Sequence, residues 1–407
     1  MAHELIIKLY GNLGEYLSFS LSSFLKQIFY QKTDEPIVYA GWHQLPDDLM
    51  EAILRRLNLI DGVRLGSVCR SWRAVVKQEH IRTAPSLWLL LPHCPDSKSL
   101  NFFSTSEGIV RTIKLPRPAR GGWCFGSSRG WLTFARWEKG NPQVFIFNPL
   151  SGFRHHLPSL TKIPSFDDYV GGAQDRSRLT SFIRKIELSS TDLSKCIVAA
   201  TFREPADVLA LCKPGDKEWS VFQGLKGQSP RYLDIIFHED KLYALMHKGA
   251  FFASYSIELA EKREVIFRVI QNIVVPLIHT WWRRTLESHF VESDGELLIV
   301  KSQKYAFNKR RRFQVFKIGF GYIFSSIRPR FTRLTSMGDK KLFLSKSKSL
   351  SISGPDFNGI GGNRICFADY INDYCLEDDD DPTVSRQTRE VFYLDDERPM
   401  CWFSPHP

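Results

Sequence analysis

The sequence predicts a mainly β protein in which a β-propeller of about six blades follows a small all-α unit. Three observations lead to this prediction. A compact helical pattern fills residues 42–82. From Pro85 onward the chain consists of short β-branched and aromatic segments that are separated by turn residues. These segments fall into clusters of roughly 35–60 residues, near the size of one four-stranded propeller blade.

The helical pattern begins in the stretch HQLPDDLMEAILRRL, His43 to Leu57. Pro46 suits a helix start, and Asp47 or Asp48 can cap the helix or complement its N-terminal dipole. Spacing of i, i+4 and i+8 then places three residues on one apolar stripe. These are Leu49, Ile53 and Leu57.

A second helical run follows, for which Asp61 is a suitable N-cap. Two or three short helices within about 40 residues cannot bury all of these apolar side chains on their own. Another chain, or the rest of this one, must therefore cover part of the surface. The second apolar face comprises Leu65, Val68, Cys69, Trp72, Val75 and Val76.

Hairpins are predicted in the β-rich part, with turns at Glu239-Asp240 and Asp294-Gly295. Residue-level repetition is weak, so a pair of β-sandwiches is an open alternative to the propeller. A propeller closes radially, which predicts that Arg389–Phe403 and Ser86–Pro92 lie in the same or adjacent blades. The six strand clusters span residues 85–116, 121–158, 180–223, 230–270, 285–335 and 341–403.

The composition is that of a folded protein with a basic surface. Hydrophobic residues make up 43% and aromatic residues 13% of the 407 residues, which is ample for a packed core. The formal charge is +11, but the basic residues are scattered, with one tight run at 309–312. We therefore expect a solvated basic surface and no nucleic-acid partner.

Cysteine usage predicts an intracellular protein of the nucleus, the cytoplasm or both. The eight cysteines include no C-x-x-C pair, and no N-x-[ST] sequon occurs. The longest uncharged stretches, such as Val269 to Trp282, reach 14 residues, whereas a membrane span needs about 20. Residues 1–41 read as an extension that is partly helical or disordered, and we predict no membrane span.

No motif in the sequence predicts catalysis. GSSRG at 126–130 matches the nucleophile-elbow pattern, but the following WLTFARW reads as a strand, so we interpret it as a hairpin turn. The histidines lack zinc-ligand spacing, and the acidic run at 377–381 lacks the ligand pattern of a calcium loop. We expect no catalytic residue, no metal and no cofactor.

The stretch from Trp42 to Val76 resembles an F-box. It carries the Leu-Pro start at 45–46, an apolar helix, Asp61 and the run Val-Cys-Arg-Ser-Trp at 68–72. Later segments between Gly126 and Asp369 resemble a large plant group of F-box proteins with a kelch-like, otherwise uncharacterised domain. The predicted domains are an extension at 1–41, an F-box at 42–82 and a kelch-like propeller at 85–407.

This resemblance implies a non-catalytic subunit of a cullin–RING (SCF-type) ubiquitin ligase. The F-box would dock on the Skp-type adaptor, which carries the cullin, and the propeller would bind an unknown target protein for ubiquitination. The apolar face would then be covered at an interface. The resemblance implies adaptor contacts for Leu45, Pro46, Leu49, Ile53, Leu57, Leu65, Val68, Cys69 and Trp72.

Two other functions fit the same sequence. An F-box protein can act outside a ligase, as a scaffold or regulator. The propeller can instead bind a ligand or glycan, or act as an enzyme, and a pocket with converging polar groups at its axis would favour that hypothesis. Loops on one propeller face would set target specificity, and the irregular segments Thr161–Arg178 and Ala368–Val384 are candidates.

Overall fold

A computed structural model of the chain shows two compact units, residues 1–84 and 85–407, and each is described by itself. Predictions for the extension at 1–41, Leu45, Asp61 and the acidic run at 377–381 lie outside the described residues. No described helix is long and apolar enough to cross a membrane. The structure describes residues 46–54, 57, 62, 65–66, 68–82, 87–94, 96–105, 107–171, 176–203, 207–222, 231–246, 251–262, 264–276, 287–304, 311–323, 326–345, 347–353, 362–367, 372–375 and 401–405.

The first unit contains helix α1, Asp47–Leu54, and helix α2, Arg70–Arg82. The carbonyl of Pro46 accepts the N–H groups of Leu49 and Met50 at 3.1 Å each, so the helix starts where the sequence predicts. Asp47 and Asp48 occupy the first turn, where carboxylates complement the helix dipole.

The second unit has 24 described strands in six four-stranded sheets, here called blades 1 to 6. Blade 1 contains β1 (Trp88–Leu90), β2 (Ser99–Ser104), β3 (Ile109–Lys114) and β24 (Cys401–Phe403). Blade 2 contains β4 (Trp123–Ser128), β5 (Trp131–Glu138), β6 (Asn141–Phe147) and β7 (Arg154–Leu157), and blade 3 contains β8 (Ile183–Leu188), β9 (Val198–Phe202), β10 (Leu209–Cys212) and β11 (Ser220–Phe222). Blade 4 contains β12 (Tyr232–His238), β13 (Lys241–Met246), β14 (Phe251–Lys262) and β15 (Glu264–Pro276). Blade 5 contains β16 (Glu287–Ser293), β17 (Glu296–Lys304), β18 (Arg311–Ile323) and β19 (Ser326–Leu334), and blade 6 contains β20 (Lys341–Leu344), β21 (Leu350–Ile352), β22 (Arg364–Phe367) and β23 (Asn372–Cys375).

The six sheets are arranged radially, which confirms the predicted propeller and not the sandwich alternative. The innermost strands contact one another in the order β24, β4, β8, β12, β16 and β21. Each sheet therefore touches its two neighbours through its inner edge, whereas the sheets of a sandwich pack face to face.

The ring is closed by its last strand. Cys401–Phe403 pairs antiparallel with β1, and Trp88 lies opposite Phe403. This confirms that the two ends of the domain share a blade, as far as the described residues extend. It also corrects the sixth predicted cluster, 341–403, because its final strand belongs to blade 1. Closure pairs an inner edge that would otherwise be open.

Tight turns lie where the sequence predicts them. Glu239 and Asp240 have φ of 44° and 58°, and Asp294 and Gly295 have φ of 49° and 76°. These left-handed values are those of a two-residue hairpin turn that matches strand twist. Arg129 and Gly130 form a third such turn between β4 and β5, so GSSRG is a hairpin turn as interpreted.

Blade 6 departs from the simple up-and-down order. Its strands lie in the order β21-β20-β22-β23, and β20 pairs parallel with β22. The chain thus enters the blade at its second position and then turns inward to form the innermost strand β21. This topology places the connection between β20 and β21 beside the propeller axis.

Two outer hairpins extend past the body of the propeller on one face. We define the turn face as the end of the ring at which β4, β12 and β16 enter their tight turns. β14 pairs with β13 only as far as Ser256 and continues with β15 to Lys262, about 20 Å further at 3.3 Å per residue. β18 likewise continues beyond Ile318 to Ile323.

The segment Thr161–Arg178 is predicted to be irregular, but its described residues are partly helical. It contains helix α3, Phe166–Val170, and the start of helix α4, Arg176–Phe182. Phe166, Val170 and Phe182 are buried in the core between blades 2 and 3. Apolar burial therefore determines the structure of this segment. Of the other predicted loop, Ala368–Val384, only residues 372–375 are described, and they form β23.

Candidate functional site

The predicted adaptor-binding residues divide into surface and interior groups in the helical unit. Pro46 is exposed, and Val68 is a large hydrophobic residue with 41% exposure. Leu65 and Trp72 are 3% and 6% exposed and lie in the unit's own core. The remaining described members are half-buried, namely Leu49, Ile53, Leu57 and Cys69.

The core of the helical unit explains why Leu65 and Trp72 turn inward. Met50, Leu65 and Trp72 pack in one cluster with Val75 and Val76 from α2. Leu65 and Trp72 therefore stabilise the packing of the helices. Direct contacts with a partner would be made by the more exposed residues. Sequence reasoning missed Met50. Helical spacing could have revealed it, because apolar residues follow it at i+3, i+4 and i+7, namely Ile53, Leu54 and Leu57.

Cys69 has a specific role at the start of α2. Its sulfur accepts the N–H of Trp72 at 3.5 Å and lies 3.1 Å from the Ser71 hydroxyl. The hydrogen bonds with Ser71 and then Trp72 lower the pKa of the Cys69 thiol. The motif Val-Cys-Arg-Ser-Trp thus combines a helix cap with a core anchor, and it leaves Val68 on the surface.

The propeller has a second candidate site, a pocket of about 180 Å³ at its axis on the turn face. Residues from five of the six blades reach it. Blade 2 provides the β4–β5 turn, blade 6 provides the connection into β21, and blade 1 provides the residue after β24. The lining residues are Ser127, Arg129, Gly130, Ile236, Glu292, Lys348, Ser349, Leu350, Ser351 and Ser404.

A buried ionic cluster lies beside this pocket. Lys185 Nζ is 2.5 Å from Asp234 Oδ1 and 3.8 Å from Glu187 Oε2. Lys348 Nζ is 3.1 Å from Glu187 Oε1. Side chains of Lys185, Glu187 and Asp234 are all less than a tenth exposed, so they are held away from bulk water. We call these four residues the axial cluster.

Neighbouring charges favour the ionised forms of Lys185 and Glu187. Burial alone would lower the pKa of Lys185, but the charges of Asp234 and Glu187 raise it above its ordinary value. Burial would likewise raise the pKa of Glu187, and the charges of Lys348, Lys185 and Arg129 lower it instead. An ion buried without such partners would be strongly destabilising.

The axial cluster also connects neighbouring blades. Asp234 accepts the backbone N–H of Phe290, on β16, at 2.7 Å. Arg129 donates to the carbonyls of Leu188 and Phe237 at 2.8 and 3.3 Å. These bonds run from blade 2 to blades 3 and 4 and from blade 4 to blade 5, so the polar groups at the axis help to fix the ring.

Sequence reasoning missed the axial cluster. Lys185 and Glu187 alternate in the strand IRKIEL, and Asp234 lies in the apolar strand YLDIIFH. Charged residues on the inward side of a buried strand are the signal that could have revealed it. Lys348 carries no such signal, because it lies between two strands.

Metal-ligating side chains do not cluster among the described residues. No group of three or more histidine, cysteine, aspartate or glutamate residues among them could hold a metal ion. The described residues offer two candidate surfaces for binding: the exposed apolar residues of the helical unit and the polar axial pocket.

Comparison with known proteins gives the class and then the family. The F-box domain matches residues 42–83, so the helical unit is an F-box and the protein is an F-box protein with a six-bladed propeller. The family described as KIB1-4 beta-propeller matches residues 102–395, and the chain belongs to that family.

Similar proteins come from Arabidopsis thaliana. A protein that carries the F-box name, At3g25750, is 24% identical over 343 residues, which cover 81% of this chain and 88% of that protein. The F-box protein At2g26160 is 22% identical and covers 81% of this chain and 96% of its own length. The F-box/kelch-repeat protein At1g57790 is 30% identical over 45% of this chain and 47% of its own length.

These comparisons support a general role as a substrate receptor of an SCF-type ligase. An F-box implies binding to a Skp-type adaptor, and its combination with a propeller is typical of non-catalytic adaptors.

Proposed function

We propose that the chain is the substrate-recognition subunit of a cullin–RING (SCF-type) E3 ubiquitin ligase. The F-box docks on the Skp-type adaptor and through it on the cullin, and the propeller binds a target protein for ubiquitination. Other subunits carry the ubiquitin chemistry, so this chain needs no catalytic residue.

The observation that carries the proposal is the apolar surface left on a unit whose core is already filled. Met50, Leu65 and Trp72 are buried, whereas Val68 is 41% exposed and Leu49 is only half-buried. Apolar residues that remain accessible on a small unit are suited to burial at an interface, where a few anchors dominate the binding energy.

A charge placed on this surface tests the proposal. Val68→Asp would bring a carboxylate into the adaptor interface and is expected to weaken adaptor binding at least about tenfold, since an unpaired charge at an interface is costly to desolvate. The matched control is Ala74→Asp, which adds the same charge at an exposed position of α2. Adaptor affinity is measured by calorimetry with the full chain, and helical content is checked by circular dichroism. Equal affinities of the two variants would contradict the docking surface.

Recovery of the cullin distinguishes a ligase subunit from an F-box protein that acts as a scaffold outside a ligase. Purification of the tagged full chain from plant cells should recover both adaptor and cullin, and Val68→Asp should lose both together. Recovery of the adaptor without cullin would instead support an F-box protein that acts outside a ligase.

A second candidate function is ligand binding by the propeller. Polar groups from four blades converge on the axial pocket, and this is the arrangement that favours the ligand-binding hypothesis. The two functions are compatible, because a pocket beside a recognition surface can take part of the target or a small molecule.

We propose the nucleus, the cytoplasm or both as the compartment. The seven cysteines whose side chains are described are all free, and four of the five that are buried lie within strands of the propeller. Reduced buried thiols are expected in a reducing compartment. Fluorescence microscopy of the tagged chain tests this proposal, and accumulation in the secretory pathway would contradict it.

A further inference from the structure

The charges around the axial pocket do not balance within the buried groups. Three cationic side chains, Arg129, Lys185 and Lys348, surround two buried carboxylates, Glu187 and Asp234. Among the residues that the structure describes around the pocket, one positive charge therefore has no buried carboxylate to neutralise it. Uncompensated charge in a partly desolvated site is unfavourable, and a bound anion would relieve it.

Arg129 and Lys348 present this charge to the pocket. Arg129 donates to two backbone carbonyls, and a guanidinium carries five N–H donors. The ammonium group of Lys348 carries three N–H donors, and one of them donates to the carboxylate of Glu187. Both side chains line the pocket, so they retain donors that can face a ligand.

The remaining lining suits a small polar group. Ser349, Ser351 and Ser404 supply hydroxyls, and Ile236 and Leu350 supply apolar walls. The lining also contains one carboxylate, Glu292, which would repel an anion. Its side chain is 46% exposed, and its Oε1 lies 3.7 Å from His238 Nδ1. Water screens a carboxylate at that exposure more than it screens the buried cations.

We infer that the axial pocket binds an oxyanion, either a carboxylate or a phosphate group, which Arg129 and Lys348 hold with help from the serine hydroxyls. The oxyanion can belong to an acidic side chain of a bound protein or to a free small acid. This inference deepens the ligand-binding function proposed above, and it does not depend on adaptor docking by the F-box.

The pocket lies where a large partner can reach it. Its lining includes the β4–β5 turn, which lies on the turn face, the same face on which the β14–β15 and β18–β19 hairpins extend beyond the body of blades 4 and 5. A protein bound against these hairpins could place an acidic side chain into the pocket. A free acid would need only the pocket itself.

The test uses the full chain and four probes. They are inorganic phosphate, the capped peptides acetyl-Gly-Glu-Gly-amide and acetyl-Gly-Gln-Gly-amide, and the neutral sugar glucose. Binding is measured by saturation-transfer NMR for the organic probes and by phosphorus NMR for phosphate. The Glu peptide, phosphate or both should bind, and the Gln peptide and glucose should bind at least about tenfold more weakly, because a charged hydrogen bond contributes about 1.5–3 kcal/mol.

Three variants assign the binding to the pocket. Lys348→Gln should weaken oxyanion binding about tenfold, and Lys348→Arg should retain it because the positive charge remains. Glu292→Gln removes the like charge at the rim and should strengthen binding severalfold. The control is Lys317→Gln, a lysine of blade 5 that pairs with Glu296 and does not line the pocket.

The outcomes separate the proposals. Binding of the Glu peptide but not of phosphate supports a protein side chain as the source, and the reverse supports a free acid. If glucose or the Gln peptide binds as well as the anions, ligand binding stands and the oxyanion inference is overturned. If Lys348→Gln does not fold, an unchanged affinity in Glu292→Gln overturns the inference on its own. Val68→Asp should leave every probe affinity unchanged.

Discussion

At the scale of single residues, the propeller interior holds ionisable groups in two different ways. The charges of the axial cluster compensate one another, because Lys185 lies within 4 Å of both Asp234 and Glu187. Lys301 on β17 is equally buried, and burial lowers its pKa to about 6. The first group should stabilise the fold as ions, and the second should destabilise it when protonated.

Glu187→Gln is expected to destabilise the propeller by about 3–5 kcal/mol, because it leaves Lys348 and Lys185 without their shared carboxylate. Urea unfolding at about pH 7 measures the loss. A carboxyl with a lowered pKa in the folded state stabilises the fold above its unfolded pKa, and that contribution disappears as the pH falls through the folded pKa. The variant should therefore also lose part of the wild type's acid sensitivity.

The control for Glu187 is Glu138→Gln. Glu138 pairs with Arg136 at 2.8 Å but is 43% exposed, so its loss should change stability by no more than about 1 kcal/mol. Equal effects of the two substitutions would show that the axial cluster is not a stabilising network.

Lys301→Met is expected to stabilise the protein by about 1–4 kcal/mol at neutral pH, because the wild-type lysine must release its proton on folding, whereas methionine keeps an unbranched side chain without that cost. The unfolded state binds the lysine proton up to about pH 10.4, whereas the folded state releases it near 6. Wild-type stability should therefore rise with pH between these values, and the variant should lack this rise.

Thermal unfolding of Lys301→Met across about pH 6 to 9 measures both effects. Lys317→Met is the control, because Lys317 is 42% exposed and pairs with Glu296. A lower melting temperature in Lys301→Met would show that the lysine has a structural role in blade 5.

At the scale of elements, α1 connects the start of the F-box to its proposed interface. The carbonyl of Pro46 accepts the N–H groups of Leu49 and Met50, so this residue sets where the helix begins. Leu45 precedes it and lies outside the described residues. The position of these two residues predicts that they act on the entry to the helix and on the surface beside it.

Leu45→Ala combined with Pro46→Ala is therefore expected to abolish recovery of the Skp-type adaptor in pull-down experiments, while the propeller stays folded. Near-ultraviolet circular dichroism of the full chain reports on the propeller aromatic residues. Ala52→Gly provides the matched control, since Ala52 is exposed on α1 and the change costs the helix about 1 kcal/mol without removing the Leu-Pro start. Undiminished recovery by the double variant would refute the docking assignment.

At the scale of the whole propeller, closure depends on one short strand. β24 pairs with β1 and contacts β4, and the Trp402 indole N–H donates to the Leu344 carbonyl at 2.9 Å in blade 6. The Trp402 ring also packs edge-on against Phe343 at 5.0 Å. A three-residue strand thus connects blade 1 to both of its neighbours.

Removal of residues 391–407 should open the ring and expose the edges of β1 and β4, which invite pairing with other chains. Limited proteolysis followed by size-exclusion chromatography is expected to show aggregates. The control replaces the acidic run at 377–381 with Gly-Ser and keeps β24, and its melting temperature should barely change. A soluble, monomeric, protease-resistant truncation product would contradict closure by β24.

The fold class could be predicted because its signals are local. The turn at Asp294-Gly295 depends on two adjacent residues, and the start of α1 depends on Pro46 and the residues beside it. Strand patterning then grouped the chain into blades whose limits agree with the sheets, apart from the final strand and β15, which continues past residue 270 to Pro276. The family match confirms the F-box and propeller resemblance, which rested on motifs at fixed spacing.

Only the tertiary structure decided which of these residues face a core, a pocket or solvent. Helical spacing grouped Leu65, Val68 and Trp72 on one face, yet packing against Met50 buries two of them and leaves Val68 exposed. Lys348 lies 161 residues from Glu187 in the chain, and ring closure brings them together. Periodicity reports which side of an element is apolar, but contacts between distant elements depend on how the blades close around the axis.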